Sequence, residues 1–63
     1  MPGAVVNVHK VVSGIESANF SKAVIDELRR LRLIEPQGSA LVQENVTVFY
    51  YRPVRHAVER GKW

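Results

Sequence analysis

The chain has 63 residues, no cysteine and two histidines, with nine Lys/Arg against six Asp/Glu for a formal charge of +3. A chain this short forms one domain, taken as residues 1–63, and buries only about 60% of the surface its unfolded form exposes. Disulfides are excluded, no metal is expected from His9 and His56 so far apart, and with 46% hydrophobic residues self-association is the remaining common route to stability.

Residues 4–12, AVVNVHKVV, are rich in valine, which is stiff at χ1 and suits a pleated strand. A strand is expected, with a short helix as the rival reading because Val5, Val8 and Val12 also fall near helical spacing. Ser13-Gly14-Ile15-Glu16 combines a turn glycine with a Ser-x-x-Glu capping box, and Ser17 and Asn19 are further N-cap candidates. In residues 20–33, Phe20, Val24, Leu28 and Leu31 repeat at helical spacing with Ile25 beside them, and polar residues fill the opposite face. This is an amphipathic helix, stopped by Pro36.

Gln37-Gly38-Ser39 reads as a turn. The following residues read as two strands around Glu44-Asn45, where Asn45 suits a positive φ, or as one continuous strand. Val46, Val48 and Tyr50 share one face of the last strand; Thr47, Phe49 and Tyr51 share the other. Both faces are apolar, so Val46 to Tyr51 is expected to be central or covered by another copy of the chain. Pro53 to Arg60 reads as a short helix ended by Gly61. The fold class is therefore α+β, order β-α-β-β-α, with one main amphipathic helix on a small antiparallel-type sheet. The expected core is Val6, Val8, Phe20, Val24, Leu28, Leu31, Ile34, Leu41, Val46, Val48 and Tyr50.

Charge is distributed unevenly. Residues 1–51 balance five cations against five carboxylates, whereas residues 52–63 set Arg52, Arg55, Arg60 and Lys62 against Glu59 alone. A second basic cluster is Arg29, Arg30 and Arg32. Arginine suits bidentate phosphate contacts, and Tyr50, Tyr51 and Trp63 lie near the C-terminal cluster, where aromatic rings can stack bases. Nucleic acid is the expected partner, with Arg29, Arg30, Arg32, Arg52, Arg55, Arg60 and Lys62 as its contacts. A protein-interaction or assembly module without activity is the alternative, its homo-oligomer joined through Val46 to Tyr51.

No glycine-rich phosphate loop is present, and the serines have no evident base partner, so no cofactor and no nucleophilic catalysis are expected. The start MPGAVVNVHKVV has neither a basic leader nor a long apolar run. No secretory or membrane-spanning segment is expected, and a cysteine-free chain fits the cytoplasm.

Two family resemblances bear on function. Ser21 to Pro53, SKAVIDELRRLRLIEPQGSALVQENVTVFYYRP, resembles the second half of a winged-helix domain, which implies a helix in the major groove and a two-stranded wing on phosphate. The total length and Pro2 after the initiator methionine resemble the tautomerase family, which implies an N-terminal proline as general base. The early strand, with Val11 and Val12, lacks the arginine that a dicarboxylate substrate needs.

Overall fold

The valine-rich segment forms a strand, β1 (Val6–Ser13), and the chain turns directly back into a second strand, β2 (Glu16–Phe20). Gly14 takes φ 62° at the first central position of the turn and Ile15 does not take a positive φ, the pattern of a type II′ hairpin. Ser13 and Glu16 are therefore the last pair of the ladder rather than a capping box. Helix α1 (Lys22–Arg30) starts later, capped by Ser21, whose Oγ accepts from the Val24 amide at 3.3 Å. Strands β3 (Ile34–Gln43) and β4 (Val46–Pro53) and a short helix, α2 (Arg55–Glu59), complete the chain.

This computed structural model describes residues 3–63 and is α+β, with two helices on a four-stranded mixed sheet in the order β2-β1-β4-β3. Several points differ from the sequence expectation. Strand β2 precedes the main helix, because Glu16–Phe20 continues a hairpin that Gly14 closes. The central pair β1–β4 is parallel, with Val6 opposite Val46 and Val11 opposite Tyr51, so the sheet is not simply antiparallel. Pro36 and the Gln37-Gly38-Ser39 segment lie inside β3. They fit there because β3 is an edge strand, with a bulge between Pro36 and Gly38, and an edge tolerates a residue without an amide hydrogen. Asn45 keeps a negative φ, and a second bulge between Leu41 and Gln43 adjusts the β3–β4 hairpin instead.

Strands β2 and β3 are the two edges, so α1 must carry the chain across the whole sheet. Three interstrand steps span about 14 Å, and nine helical residues span about 13.5 Å. The helix is as long as the crossing requires. Its buried centre is Ile25, which packs with Val11, Ile34 and Tyr51, flanked by half-buried Phe20, Leu28 and Phe49. Ala57 of α2 is fully buried.

The helix layer therefore lies on the face that carries His9, Val11, Phe49 and Tyr51. The expected core chose the opposite parity. Ile34 and Val48 are buried as expected, but Val6, Val24, Leu31 and Leu41 are exposed, from 43% to 69%. On the helix, Ile25 points at the sheet with Leu28 beside it, and Val24 and Leu31 turn outward; Phe20, the last residue of β2, packs against the same core. Val6, Val8, Val12, Val46, Val48 and Tyr50 share the other face, which no helix covers.

A domain of this length is stabilised by roughly 3–9 kcal/mol. Ile25→Ala is expected to remove about 2–5 kcal/mol and Val24→Ala less than about 1 kcal/mol. Urea denaturation of the two variants checks this: equal losses would mean that the helix is rotated from the orientation described.

Candidate nucleic-acid interface

Each helix ends in a left-handed residue closed by the same pair of hydrogen bonds. After α2, Gly61 takes φ 67°; its amide donates to the Val58 carbonyl at 3.1 Å and the Lys62 amide to the Ala57 carbonyl at 2.8 Å. After α1, Arg32 takes φ 59°; its amide donates to the Arg29 carbonyl and the Leu33 amide to the Leu28 carbonyl, both at 3.0 Å. Both are Schellman closures, which favour glycine at the left-handed position. The second has an arginine there, at a steric cost of about 1–2 kcal/mol. Strained backbone at a charged residue is a pointer to function.

The two turns lie near one another. The Val54 amide donates to the Leu33 carbonyl at 2.9 Å, and Leu31 and Leu33 share a hollow with His56, Arg60 and Lys62. No carboxylate lines that hollow. It sits at the end of the molecule where Arg32 interrupts the two leucines.

The remaining sequence-predicted cations divide between ion pairs and free positions. Arg30 pairs with Glu27, its Nε donating to both carboxylate oxygens at 3.2 Å. The hydrogen bond from Arg30 holds the Glu27 carboxyl below its usual range and raises the Arg30 guanidinium above its own. Both side chains are exposed, so solvent screens the pair. Arg55 bonds Glu59 at 3.0 Å along α2, and Arg52 bonds Glu35 at 2.6 Å across β4 and β3. Arg52 belongs to the uncovered face of the sheet, on the side of Val48 and Tyr50, and so lies apart from the other six. Among the described residues, Arg29, Arg32, Arg60 and Lys62 make no ion pair.

The aromatic residues are not gathered as a stacking platform. Trp63 packs edge-on against Phe20 with centroids 6.4 Å apart. Tyr51 is 6% exposed, and its hydroxyl meets His9 Nδ1 at 3.0 Å. Tyr50 faces the other side of the sheet. The cationic end therefore presents charge without an aromatic platform.

His9 is buried, and its ring stacks on Phe49 with centroids 5.1 Å apart. Its cross-strand register with Phe49 follows from the parallel β1–β4 pairing, which local patterning does not reveal. Among the described residues there is no group of three or more His, Cys, Asp or Glu that could hold a metal, and no helix is long and apolar enough to cross a membrane. Pro2 lies outside the described residues. Its neighbour Gly3 borders a hollow with Val5, Leu41, Glu44, Asn45 and Thr47, and among the described residues no Lys or Arg lines it. Residues 6–20 form a hairpin, so the helices that a winged helix places ahead of this one are absent from that stretch.

No protein-family model, no curated protein and no solved structure matches the chain.

Arg32→Gly relieves the left-handed strain but loosens the unfolded chain, for a net gain of about 0.5–1 kcal/mol. The melting temperature is expected to rise by roughly 2–8 °C in a domain of this size. Scanning calorimetry checks it, and a fall in melting temperature would show that the Arg32 side chain stabilises the fold itself.

Proposed function

We propose that this is a small non-catalytic protein that binds nucleic acid through phosphate contacts at its cationic end and works as a homodimer. The observation that carries the binding reading is Arg32, an arginine without an ion-pair partner held where glycine would fit better. It lies beside the hollow of His56, Arg60 and Lys62. Arg29, Arg30 and Arg55 belong to the same helix layer and extend the positive field; Arg30 and Arg55 share their charge with neighbouring carboxylates. Phosphate contacts fix position rather than sequence, so the reading is of a sequence-tolerant binder. A cytoplasmic setting, expected for a cysteine-free chain, goes with it.

The dimer reading rests on area and shape. The chain exposes 4907 Å², whereas a compact monomer of its mass exposes about 4,100 Å². The excess of about 800 Å² equals one partner's share of a standard interface. The radius of gyration is 13.0 Å, against about 10.6 Å for a compact domain of this length. The uncovered face supplies the patch: Val6 and Val46, Val8 and Val48, and Lys10 and Tyr50 are opposed across the central strands. Lys10 and the Arg52–Glu35 pair give its margins both signs of charge, which suits a two-fold contact with a second copy. This is the side of strand Val46 to Tyr51 that holds Val46, Val48 and Tyr50. A dimer without affinity for nucleic acid would make the protein an assembly module.

Fluorescence anisotropy of labelled duplex and single-stranded oligonucleotides tests the binding. Affinity in the micromolar range at low salt is expected, falling steeply with salt. Arg32→Gly and Arg60→Gln are each expected to lower the salt slope by about one. No binding at low salt would overturn the reading, and so would variants that leave the slope unchanged.

Sedimentation equilibrium tests the dimer. The unaltered chain is expected at twice its 7.1 kDa mass, and Val8→Lys, a half-buried position on the same face, as a folded monomer. A monomeric unaltered chain, or a Val8→Lys variant that stays dimeric, would place the contact elsewhere or remove it.

A further inference from the structure

Helix α1 covers only part of its face of the sheet. Beyond it, toward the β3–β4 hairpin, a cleft of about 380 Å³ opens between the helix and the strands. Its floor is largely aromatic, made by Phe49 and Tyr51 with the imidazole of His9 between them. Asn7 and Ser39 add neutral hydrogen-bonding groups, and Lys22 and Arg29 reach it from the helix. A concave, mostly apolar site with a few converging polar groups is the usual form of a small-molecule pocket, and this volume lies within the usual range.

The charges of the cleft select among ligands. No carboxylate lines it, whereas two cations do. Lys22 has Asp26 as a neighbour at 2.9 Å, an exposed pair that shares its charge. Arg29 has no carboxylate partner among the described residues. His9 is held from one side, with Nδ1 on the Tyr51 hydroxyl, and its other ring nitrogen has no partner among the described residues. The ring's orientation is thus fixed without using up its hydrogen-bonding capacity.

We propose that this cleft binds a small planar organic anion, an aromatic carboxylate of one or two rings. The ring lies against Phe49 and Tyr51, and the carboxylate meets Arg29, with His9, Asn7 or Ser39 as the neutral partner. Guanidinium and carboxylate match in a planar fork. The proposal is separable from nucleic-acid binding: Arg29 contributes to the positive field of both, but the cleft uses the sheet and none of Arg32, Arg60 and Lys62.

The test is a titration of the isotope-labelled full chain with 2-naphthoate, followed by amide and imidazole NMR shifts. Its neutral counterpart 2-naphthamide and inorganic phosphate are titrated in parallel. Saturable shifts are expected at Asn7, His9, Arg29, Ser39 and Phe49 with 2-naphthoate. Binding of 2-naphthamide is expected to be roughly tenfold weaker, the loss of one charge-assisted hydrogen bond. Arg29→Gln is expected to weaken 2-naphthoate by a similar factor while leaving 2-naphthamide unchanged, which separates lost charge from lost structure. Absence of saturable shifts, equal affinity for acid and amide, or phosphate binding as well as 2-naphthoate would each overturn the proposal. Arg32→Gly is expected to leave this titration unchanged, so failure here and failure of nucleic-acid binding are told apart.

Discussion

One nine-residue helix laid across four strands is the constraint on which the rest of this structure depends. The helix has to carry the chain from one edge of the sheet to the other, and it is as long as that crossing. It can seat one side chain, Ile25, squarely against Val11, Ile34 and Tyr51, and it covers one face only. The other face, built on Val8, Val48 and their neighbours, is left without a helix. A sheet with an apolar second face is stable in water only when something covers that face. The thin core, the excess surface and the elongated shape are three expressions of the same geometry.

The same crossing places the cations. Because α1 must end as the chain enters edge strand β3, its closure falls beside the closure of α2, and the two left-handed residues, Arg32 and Gly61, end up at one end of the molecule. Five cations are left without ion pairs among the described residues. Arg60 and Lys62 line the hollow there with His56, and Arg32 sits in the chain between its two leucines; Arg29 lies along the helix at the cleft, and Lys10 lies opposite Tyr50 on the uncovered sheet face. The cationic end and the apolar face are thus on different parts of the surface, so a copy docked on the sheet leaves the cationic end accessible. Ion pairs at this level of exposure contribute little to stability, and Arg30–Glu27, Arg55–Glu59 and Arg52–Glu35 act chiefly to reduce the local charge.

Much of the architecture was legible in the sequence. The amphipathic helix and the Gly61 helix end follow from periodicity and cap chemistry, and each is present; the Glu44-Asn45 hairpin is present too, though without the positive φ expected at Asn45. What was not legible was long-range. The parity of β1 is ambiguous in VNVHKVVS because valine occupies both faces, and only the parallel pairing with β4 decides that His9 and Val11 point to the helix. The Ser13–Glu16 pattern serves a capping box and a hairpin equally well, and the continuation through Phe20 settled it as a hairpin. Pro36 was read as a helix stop, whereas its place in an edge strand depends on a partner strand that local patterning does not reveal. The arginine clusters were found by composition, but the strain at Arg32 and the Arg52–Glu35 pairing across strands are visible only in three dimensions. His9 went unassigned because its partners, Phe49 and Tyr51, are some forty residues away in sequence.

The central claim is that the uncovered sheet face is completed by a second copy of the chain. The most direct test is the thermal midpoint measured over roughly two decades of protein concentration, since a fold that depends on dimerisation gains stability by mass action. The account predicts a midpoint that climbs steadily with concentration. A midpoint independent of concentration, in a chain that melts cooperatively, would contradict it and show that one helix and one sheet face suffice.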